Sequence, residues 1–515
     1  MYAQHISMKN ATQTEKAKAD QVKNNAGGYV FALDKWQTLE RFLVLGNEGG
    51  TYYCSERKMT QDNAKCVLAC AAENLDKTLS TITAFRYRAP KTSPSIFALA
   101  LLISNGYDIK DTLNDVCKTG TQLFEFVDSA TQLRGWGSRL KRVVANWYDK
   151  APDKIAYQVT KYQNRNKWSH RDVLRLCHAK TEDENLNQVF KYVCQHDKWA
   201  AEKYGSTADF LSAVDEAKLC DAKRAVTLIN EYGLVRECLG THLLNDVGVW
   251  EALLENMPMI AMLRNLGKMS QVGLLKPLSK GSQKVQQMLG QDSIRKSKVH
   301  PLNIITALST YKLGRGVLGS NSWVVDQGIV AELDRAFYDA FENVEPTNKR
   351  FYLGIDCSGS MRYGSIAGSS LQPVEGAAVL AMSTIKKEPL TYTRGFNHTM
   401  VDIHLNKSMS LSDTVDRILR TPWGATDCAL PMIDAAQNKI EVDCFVLFTD
   451  NETFFGRKHP FVALKEYRQK MGINSKLIVV GMTATNFTIA DPSDAGMLDV
   501  VGFDTNVPSL ISKFV

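Results

Sequence analysis

Two carboxylates and three hydroxyl side chains occupy positions where they can act together as oxygen ligands. Asp356, Ser358 and Ser360 form an Asp-x-Ser-x-Ser string, and Thr426 and Asp450 follow later in the chain. Hard oxygen ligands with few charges suit Mg²⁺, which keeps several waters and prefers octahedral geometry. The alternative interpretation is that the two aspartates only cap the helices that follow their strands.

A predicted parallel sheet would bring these side chains together. The apolar run Phe351–Ile355 ends at Asp356, and the run Cys444–Phe448 comes just before Asp450. In sheets of this kind, ligands bind outside the carboxyl ends of the strands. We therefore expect a candidate site at one edge of the sheet, with Thr426 on the loop between the two strands.

The elements around these runs alternate between strand-like and helical patterns from about residue 346. Further strands are predicted over 391–396, 401–405 and 477–480, and helices over 374–387, 412–419, 428–438 and 460–471. Strands that alternate with helices of this length predict a Rossmann-type α/β domain with a mostly parallel sheet.

The first two thirds of the chain have mainly helical spacing, with no clear β-hairpin signal. Predicted helices include 96–105, 138–148, 171–178, 186–193, 249–263 and 301–312. A long row of helix pairs that bury themselves against their neighbours is a solenoid architecture. The spacing leaves open whether this row is open or closes on itself.

A basic stretch with interleaved aromatic residues lies within this helical part. Lys and Arg contact phosphates, and Trp, His or Arg planes can stack on unpaired bases. The alternative is an amphipathic helix with a solvated basic face. The candidate RNA-contacting residues are Lys161, Arg165, Lys167, Trp168, His170, Arg171, Arg175 and His178.

Length and composition exclude several classes of protein. A chain of 515 residues that is 44% hydrophobic and 23% charged is typical of a folded protein with two to four domains. The longest clean apolar run, Ile96–Ile103, is under half of the roughly 20 residues that a membrane span needs. Neither a secretory signal nor a CxxC pair is visible, so we expect an intracellular protein with reduced thiols.

The net charge of +7 is unevenly distributed. Residues 346–515 carry 17 Lys+Arg and 17 Asp+Glu, so the entire excess lies in residues 1–345. Such asymmetry indicates that the N-terminal part faces a polyanion. A slightly basic solvated surface is the simpler alternative.

Two sets of motifs resemble known families. The Asp-x-Ser-x-Ser string with the later Thr and Asp resembles the metal-ion-dependent adhesion site of von Willebrand factor A domains. Longer strings, from about Gly28 to the C-terminus, resemble the Ro ribonucleoprotein (Ro autoantigen) family. These strings are Gly49–Tyr53, Lys161–Asp172, Leu253–Met269, Glu345–Phe351, Gly424–Met432, Phe448–Phe454 and Gly481–Thr505.

The resemblance implies a domain organisation. Residues 1–27 lie outside it and are expected to form a flexible tail, because their Lys, Gln, Asn and Ala content is typical of one. Residues 28–345 would form a TROVE domain, a closed ring of HEAT-like helical repeats. Residues 346–515 would form a von Willebrand factor A-like domain that completes the ring.

The resemblance also implies a function without catalysis. The outer basic surface would hold Y-type small noncoding RNA, and the ring centre would take single-stranded 3′ ends of misfolded noncoding RNAs, in RNA quality control and stress survival. The adhesion-type residues would bind a divalent cation, expected to be Mg²⁺, directly or through water, with a position left for a partner's carboxylate. The expected partners are these RNAs and either a protein at the metal site or an exoribonuclease. The resemblance further implies a monomer away from membranes, in the cytoplasm and, in a eukaryote, also the nucleus.

Two other functions remain as alternatives. The first is a metal-dependent protein-interaction scaffold for which RNA binding is secondary. The second is a metal-dependent nuclease using Asp356 and Asp450, although the site lacks the additional carboxylates that a two-metal clamp usually requires.

Overall fold

The computed structural model of this chain describes residues 11–109, 111–199, 205–316, 321–341, 345–369 and 371–515. A helical region forms most of the first two thirds, and an α/β domain forms the last third. The predicted fold class is therefore confirmed.

The described part of the helical region contains eighteen α-helices and four short strands. The helices are α1 (Lys35–Leu45), α2 (Glu56–Glu73), α3 (Leu75–Arg88), α4 (Ser93–Ser104), α5 (Thr112–Val116), α6 (Gly120–Arg134), α7 (Ser138–Tyr148), α8 (Pro152–Lys161), α9 (His170–Cys177), α10 (Glu184–Cys194), α11 (Ser206–Ala217), α12 (Ala222–Tyr232), α13 (Val247–Glu255), α14 (Met259–Gln271), α15 (Lys280–Met288), α16 (Gln291–Ser297), α17 (Pro301–Lys312) and α18 (Gln327–Asp339). The strands are β1 (Gln21–Lys23), β2 (Tyr29–Ala32), β3 (Asn164–Arg165) and β4 (Trp168–Ser169).

Helices near each other in sequence pack against each other along the row, as α2 does on α3, α12 on α13 and α17 on α18. The apolar spacing of each helix explains which face is buried. In α7, Leu140, Val144 and Trp147 recur every three or four residues and are fully or almost fully buried. A row built from such local contacts is a solenoid.

Two details of the helical region differ from the sequence prediction. The helix predicted over 249–263 is two helices, because Pro258 has no N–H to donate and α14 starts only after it. A β-hairpin, which the sequence analysis did not predict, joins β3 to β4. Its turn residues Asn166 and Lys167 both have positive φ, at 51° and 66°, as a two-residue hairpin of the primed type requires.

The α/β domain contains seven strands and five α-helices among its described residues. The strands are β5 (Arg350–Asp356), β6 (Leu390–Phe396), β7 (Met400–Val401), β8 (Cys444–Thr449), β9 (Lys476–Gly481), β10 (Phe487–Thr488) and β11 (Met497–Val501). The helices are α19 (Pro373–Lys387), α20 (Leu411–Leu419), α21 (Leu430–Gln437), α22 (Pro460–Met471) and α23 (Val507–Phe514).

Six of these strands form one sheet in the order β11-β9-β8-β5-β6-β7. All neighbours are parallel except β7, which runs antiparallel to β6. Alternate side chains of β5 point to opposite faces of the sheet. Leu353 and Ile355 pack in the core that contains α19 and α23, whereas Tyr352 packs in the core that contains α21 and α22. This period of two is what a strand buried on both faces requires.

The strand predictions were correct for the sheet centre and incomplete at its margins. Of the run predicted over 401–405, only Val401 is in a strand, as the second residue of β7, and β10 and β11 were not predicted. Asp499 interrupts the apolar run of β11, and the structure pairs that carboxylate with a cation from the helical region.

The prediction of a flexible tail over 1–27 is wrong for residues 11–27, and residues 1–10 lie outside the described residues. β1 pairs with β2, and β2 pairs with β10 of the α/β domain, so three antiparallel strands form a second sheet. Gln13 is fully buried and donates from Nε2 to Asp427 Oδ1 at 2.8 Å and to the Lys458 carbonyl at 2.7 Å. Long-range pairing fixes this segment, which composition alone does not indicate.

The α/β domain contacts both the beginning and the end of the helical row. Arg41 on α1 is fully buried, and its Nη2 lies 2.6 Å from Asp499 Oδ1 and 2.7 Å from Oδ2 on β11. Arg88 at the end of α3 pairs with Asp504. From the other end of the row, His300 Nε2 donates to the Phe503 carbonyl at 2.7 Å. The row is thus closed through the α/β domain.

The state of the cysteines and the length of the apolar helices were also predicted from the sequence. All eleven Cys side chains are free thiols, as predicted, and eight of them are buried. Among the residues that the structure describes, no helix combines the length and apolar character needed to cross a bilayer.

We expect Arg41→Met to lower the free energy of unfolding by about 3–5 kcal/mol, since it leaves the Asp499 carboxylate buried without its partner. The double variant Arg41→Met/Asp499→Leu should recover much of this loss, because no charge remains buried. Urea denaturation followed by tryptophan fluorescence would measure both. A single variant as stable as the wild type would show that this pair does not hold the junction.

We also expect acid to weaken the junction at His300. Burial lowers the pKa of this imidazole to about 4, below its ordinary value of 6.5. The unfolded chain therefore takes up the proton first, and the contribution of neutral His300 to stability is lost as pH falls from about 6.5 to 4. Melting temperatures between pH 7.5 and 4.5 should fall more steeply for the wild type than for His300→Gln. If the melting temperatures of both proteins fall equally with pH, His300 does not cause the loss of stability in acid.

Candidate functional site

The predicted metal residues lie at the carboxyl ends of adjacent strands. Asp356 ends β5, and Asp450 directly follows the neighbouring β8. The loop with Thr426 is hydrogen-bonded to both: Gly359 N donates to the Gly424 carbonyl at 3.1 Å, and Phe454 N donates to the Thr426 carbonyl at 3.1 Å. Three loops therefore meet at one edge of the sheet, where ligands of parallel sheets bind outside the carboxyl ends of the strands.

The first loop is held in place by hydrogen bonds to Asp356. Ser358 N donates to Asp356 Oδ1 at 2.9 Å, and Thr449 Oγ1 donates to Asp356 Oδ2 at 2.6 Å. The hydroxyls of Ser358 and Ser360 lie 3.1 Å apart. Thr449, at the end of β8, was not predicted as part of the site, although its position beside Asp450 could have indicated it.

Two oxygens of the site are buried without a hydrogen-bond partner among the described residues: Thr426 Oγ1 and Asp450 Oδ2. Burial raises the pKa of both carboxyls, and the pKa of Asp356 is raised further by Asp450. Two buried carboxylates, with one unsatisfied carboxylate oxygen on Asp450 and one unsatisfied hydroxyl oxygen on Thr426, form the environment that a small divalent cation stabilises. The donor set therefore fits Mg²⁺.

The described residues contain no cluster of three or more His, Cys, Asp or Glu placed to hold a metal. A cation at this edge would thus bind through two carboxylates, through hydroxyls and through water. Such a mixed set suits Mg²⁺, which gives up its waters reluctantly.

A third carboxylate, Glu452, lies close to the site and was missed by the sequence analysis. Both of its oxygens are held by the N-terminal segment: Asn25 Nδ2 donates to Oε1 at 2.8 Å, and Ala26 N donates to Oε2 at 2.9 Å. Burial and the neighbouring Asp450 raise the pKa of Glu452. Its spacing of two residues from Asp450 was the signal that could have identified it.

Aromatic side chains from both parts of the chain lie near this edge. Burial, and then Asp450 and Glu452, raise the pKa of Tyr53 to about 12. The Tyr53 ring contacts Tyr52 at 4.8 Å between ring centroids, and Tyr52 contacts Tyr363 at 6.0 Å. The exposed aromatic residues on or beside the site's loops are Tyr52, Tyr363, Trp423 and Phe455.

The predicted basic stretch forms a hairpin followed by a helix. Arg165 and Lys167 are exposed, and Lys167 is at the tip of the hairpin. Arg171 and Arg175 lie one turn apart on the exposed face of α9, and His178 is its exposed left-handed C-cap at φ 56°. We call the set of Arg165, Lys167, Arg171, Arg175 and His178 the basic surface.

The cations of the basic surface are not paired with any described carboxylate, although the exposed Asp172 also lies on α9. None of its four Lys and Arg side chains forms an ion pair with any residue described in the structure. Val173, Leu174 and Cys177 bury the opposite face of α9. This geometry agrees both with phosphate binding and with the simpler interpretation of a solvated basic face.

His170 does not belong to this surface, and the prediction that it contacts RNA is wrong. Its side chain is buried among Phe124, Trp147 and Tyr148, and Nδ1 is 2.7 Å from the Tyr148 hydroxyl. Burial lowers the His170 pKa to about 3, so the ring is neutral at physiological pH. It is a core residue because aromatic residues from two preceding helices, α6 and α7, surround it.

Trp168 and Lys161 are partly committed to protein contacts. Trp168 is half-buried, donates from Nε1 to Asp128 Oδ1 at 3.2 Å and meets Trp136 edge-on. Lys161 Nζ donates to the Tyr157 hydroxyl at 2.7 Å and also lies over the Tyr162 ring. Both residues border the basic surface but are less available than its members.

Comparison with known proteins assigns both parts of the chain. A model of the TROVE domain matches residues 22–236 and 231–315, and a model of the Ro60 vWA domain matches residues 350–515. A protein from Deinococcus radiodurans named RNA-binding protein RO60 is 38% identical, and the alignment covers 99% of this chain and 98% of that protein. This chain belongs to the Ro60 family.

Two further comparisons extend over nearly the whole length of this Ro60-family chain. A Caenorhabditis elegans protein named RNA-binding protein RO60 is 34% identical, over 98% of this chain and 91% of the relative. The crystal structure of the Deinococcus radiodurans RO (RSR) protein matches with a TM-score of 0.68 and 35% identity, over 93% of this chain and 99% of that one. The basic surface lies in the TROVE match, and the candidate metal residues lie in the Ro60 vWA match.

Proposed function

We propose that this Ro60-family protein is a non-enzymatic RNA-binding protein that holds structured RNA on the basic surface. The observation that carries the proposal is the set of exposed cations on the hairpin and α9, which form no ion pair with any described residue. The names of the two relatives point to the same class of ligand. Such a surface binds phosphates and backbone shape with few contacts to base edges, so binding should be strongly salt-dependent.

The finer assignment rests on family resemblance. The structured ligand would be a Y-type small noncoding RNA, and single-stranded 3′ ends of misfolded noncoding RNAs would enter the centre of the closed helical row. An exoribonuclease would be a fitting partner, because the protein would present such ends without cutting them. The role would then be RNA quality control and stress survival.

We expect Arg165→Glu/Lys167→Glu to weaken binding of a structured small RNA about tenfold or more, and to reduce the slope of log K against log salt by about 2. Arg165 ends β3 and Lys167 lies in the turn, and both side chains are exposed, so the fold should be retained. Filter binding between 50 and 200 mM salt measures both quantities.

The matched control is Lys407→Glu/Lys470→Glu, which makes the same charge change at exposed positions of the α/β domain. The RNA affinity of this control variant, and its slope of log K against log salt, should stay close to those of the wild type. Equal losses in both variants would show that net charge, and not the basic surface, determines RNA binding.

A second function is favoured by the two unsatisfied oxygens at the sheet edge. We propose that Asp356, Ser358, Ser360, Thr426 and Asp450 hold Mg²⁺, directly or through water. When bound, the cation would supply a Lewis-acid position for a carboxylate of a protein partner. The exposed aromatic residues beside it, Trp423 and Phe455, would add apolar contact area around that carboxylate.

We expect Mg²⁺ to raise the melting temperature of the EDTA-treated protein, since a ligand that binds only the folded state adds about 2.7 kcal/mol at 100 times its Kd. Asp450→Asn should abolish this response. Without Mg²⁺ the variant should melt no lower than the wild type, because one buried charge is gone. The exposed Asp416→Asn is the control. A full Mg²⁺ response in Asp450→Asn would refute the site.

A further inference from the structure

Two cysteine side chains that neither proposed function uses lie together on α2. Cys66 and Cys70 are four residues apart, and side chains with this spacing are neighbours on one face of a helix. Both are free thiols. Their Sγ atoms approach the same acceptor on α1, the Lys35 carbonyl oxygen, at 3.1 Å from Cys66 and 3.5 Å from Cys70. The two sulfurs therefore converge on one point between the two helices.

The two sulfurs also interact with each other. A hydrogen bond between them raises the pKa of Cys66 and lowers the pKa of Cys70. The Lys35 ammonium lowers the pKa of Cys70 further. The thiolate is the form of cysteine that binds metals, so these contacts favour that form for one of the two side chains.

A disulfide does not fit this pair. The Cβ atoms of residues four apart on a helix are about 5–6 Å from each other, whereas a disulfide needs them about 3.5–4.5 Å apart. Closing that gap would distort α2 around Cys70, which is fully buried. An atom inserted between the two sulfurs needs no such approach.

A cavity of about 460 Å³ leads to the pair. It lies between α1, α2, the end of β2 and the segment that joins β9 to β10. Cys66 lines this cavity and is half-buried, whereas Cys70 is fully buried. Two further sulfur atoms line it, from the thiol of Cys54 and the thioether of Met59. A sulfur-seeking ion can therefore reach the pair from the cavity.

The number of ligands selects the class of ion. Thiolates select Cu⁺, Zn²⁺ and iron–sulfur clusters. Zn²⁺ sites use three or four protein ligands and the clusters use four. Among the residues that the structure describes, no three His, Cys, Asp or Glu side chains are grouped to hold a metal. This leaves Cu⁺, a soft ion that two thiolates in line can hold.

We propose that Cys66 and Cys70 bind one Cu⁺ ion between their sulfur atoms, with the Lys35 carbonyl oxygen as a weak third contact. Binding replaces thiol protons by the metal, so protons are released to the solvent and no electron is transferred. The ion connects α2 to the first residue of α1, the helix that carries Arg41 into the junction with the α/β domain. The site acts independently of the proposed RNA binding.

The test is a competition for Cu⁺ between the full-length protein and a chromogenic Cu⁺ chelator, without oxygen and without added thiols. The wild type should hold one Cu⁺ per chain. Cys66→Ala and Cys70→Ala should each weaken binding by roughly 100-fold or more, because loss of even an outer-shell partner costs a metal site about 10–100-fold. Cys66→Met keeps a soft sulfur and should bind Cu⁺ more tightly than Cys66→Ala does.

The matched control is Cys220→Ala, which removes another half-buried thiol of the helical region. Its Cu⁺ affinity should equal that of the wild type. Cu⁺ should raise the melting temperatures of the wild type and of this control, but not that of Cys66→Ala. Circular dichroism of the metal-free proteins checks that each variant is folded. Because Cys66 is only half-buried, Cys66→Ala keeps the test decisive if Cys70→Ala does not fold.

X-ray absorption at the copper edge identifies the ligands and should show two sulfur neighbours. Three or more sulfur neighbours would place the ion among other thiols and overturn the assignment. A wild type that takes no Cu⁺ from the chelator, or a Cys66→Ala variant with unchanged affinity, would leave the two residues as packed core thiols. Displacement of Cu⁺ by an equal concentration of Zn²⁺ would also overturn the proposal, because Zn²⁺ requires more ligands than this pair supplies.

Discussion

The guanidinium of Arg41 is buried against the sheet, where Asp499 neutralises it through Nη2 and the Thr485 and Phe487 carbonyls accept hydrogen bonds from Nη1. A cation can be removed from water at acceptable cost only where its partners are positioned this closely. The first helix of the row is therefore fixed to one edge of the sheet. Because His300 is bonded to the Phe503 carbonyl nearby, the last part of the row is fixed there as well.

This junction also shapes the sheet edge with the candidate cation site, since the same part of the chain supplies residues to it. Tyr53 follows α1, and Asn25 precedes it; both reach the neighbourhood of Asp450 or Glu452. The surroundings of the candidate cation site are thus built by both matched domains. A substitution in the N-terminal segment can alter the candidate cation site without replacing any predicted ligand, through the Asn25–Glu452 hydrogen bond.

The sequence correctly predicted those parts of the structure that depend on the order of neighbouring residues. The Asp-x-Ser-x-Ser string and the apolar runs before Asp356 and Asp450 correctly placed these side chains at one edge of the sheet, because strand ends can be recognised from neighbouring residues. His170 shows where this reasoning stops. Nothing in the order of residues in the basic stretch distinguishes His170 from an exposed residue. It is buried only because Phe124, Trp147 and Tyr148 pack on it from other helices. The break at Pro258, by contrast, could have been predicted from the missing N–H of proline, although the sequence analysis placed a single helix over 249–263.

The second sheet has a consequence for how the molecule is made. β2 pairs with β10 through Ala32 and Phe487, which are 455 positions apart. At a synthesis rate of about 5–20 residues per second, the early strand waits roughly 25–90 s for its partner to leave the ribosome. During that time β2 can pair with β1, but its other hydrogen-bonding edge has no partner. The nascent chain therefore carries a strand with one open edge, which chaperones could bind until translation is nearly finished.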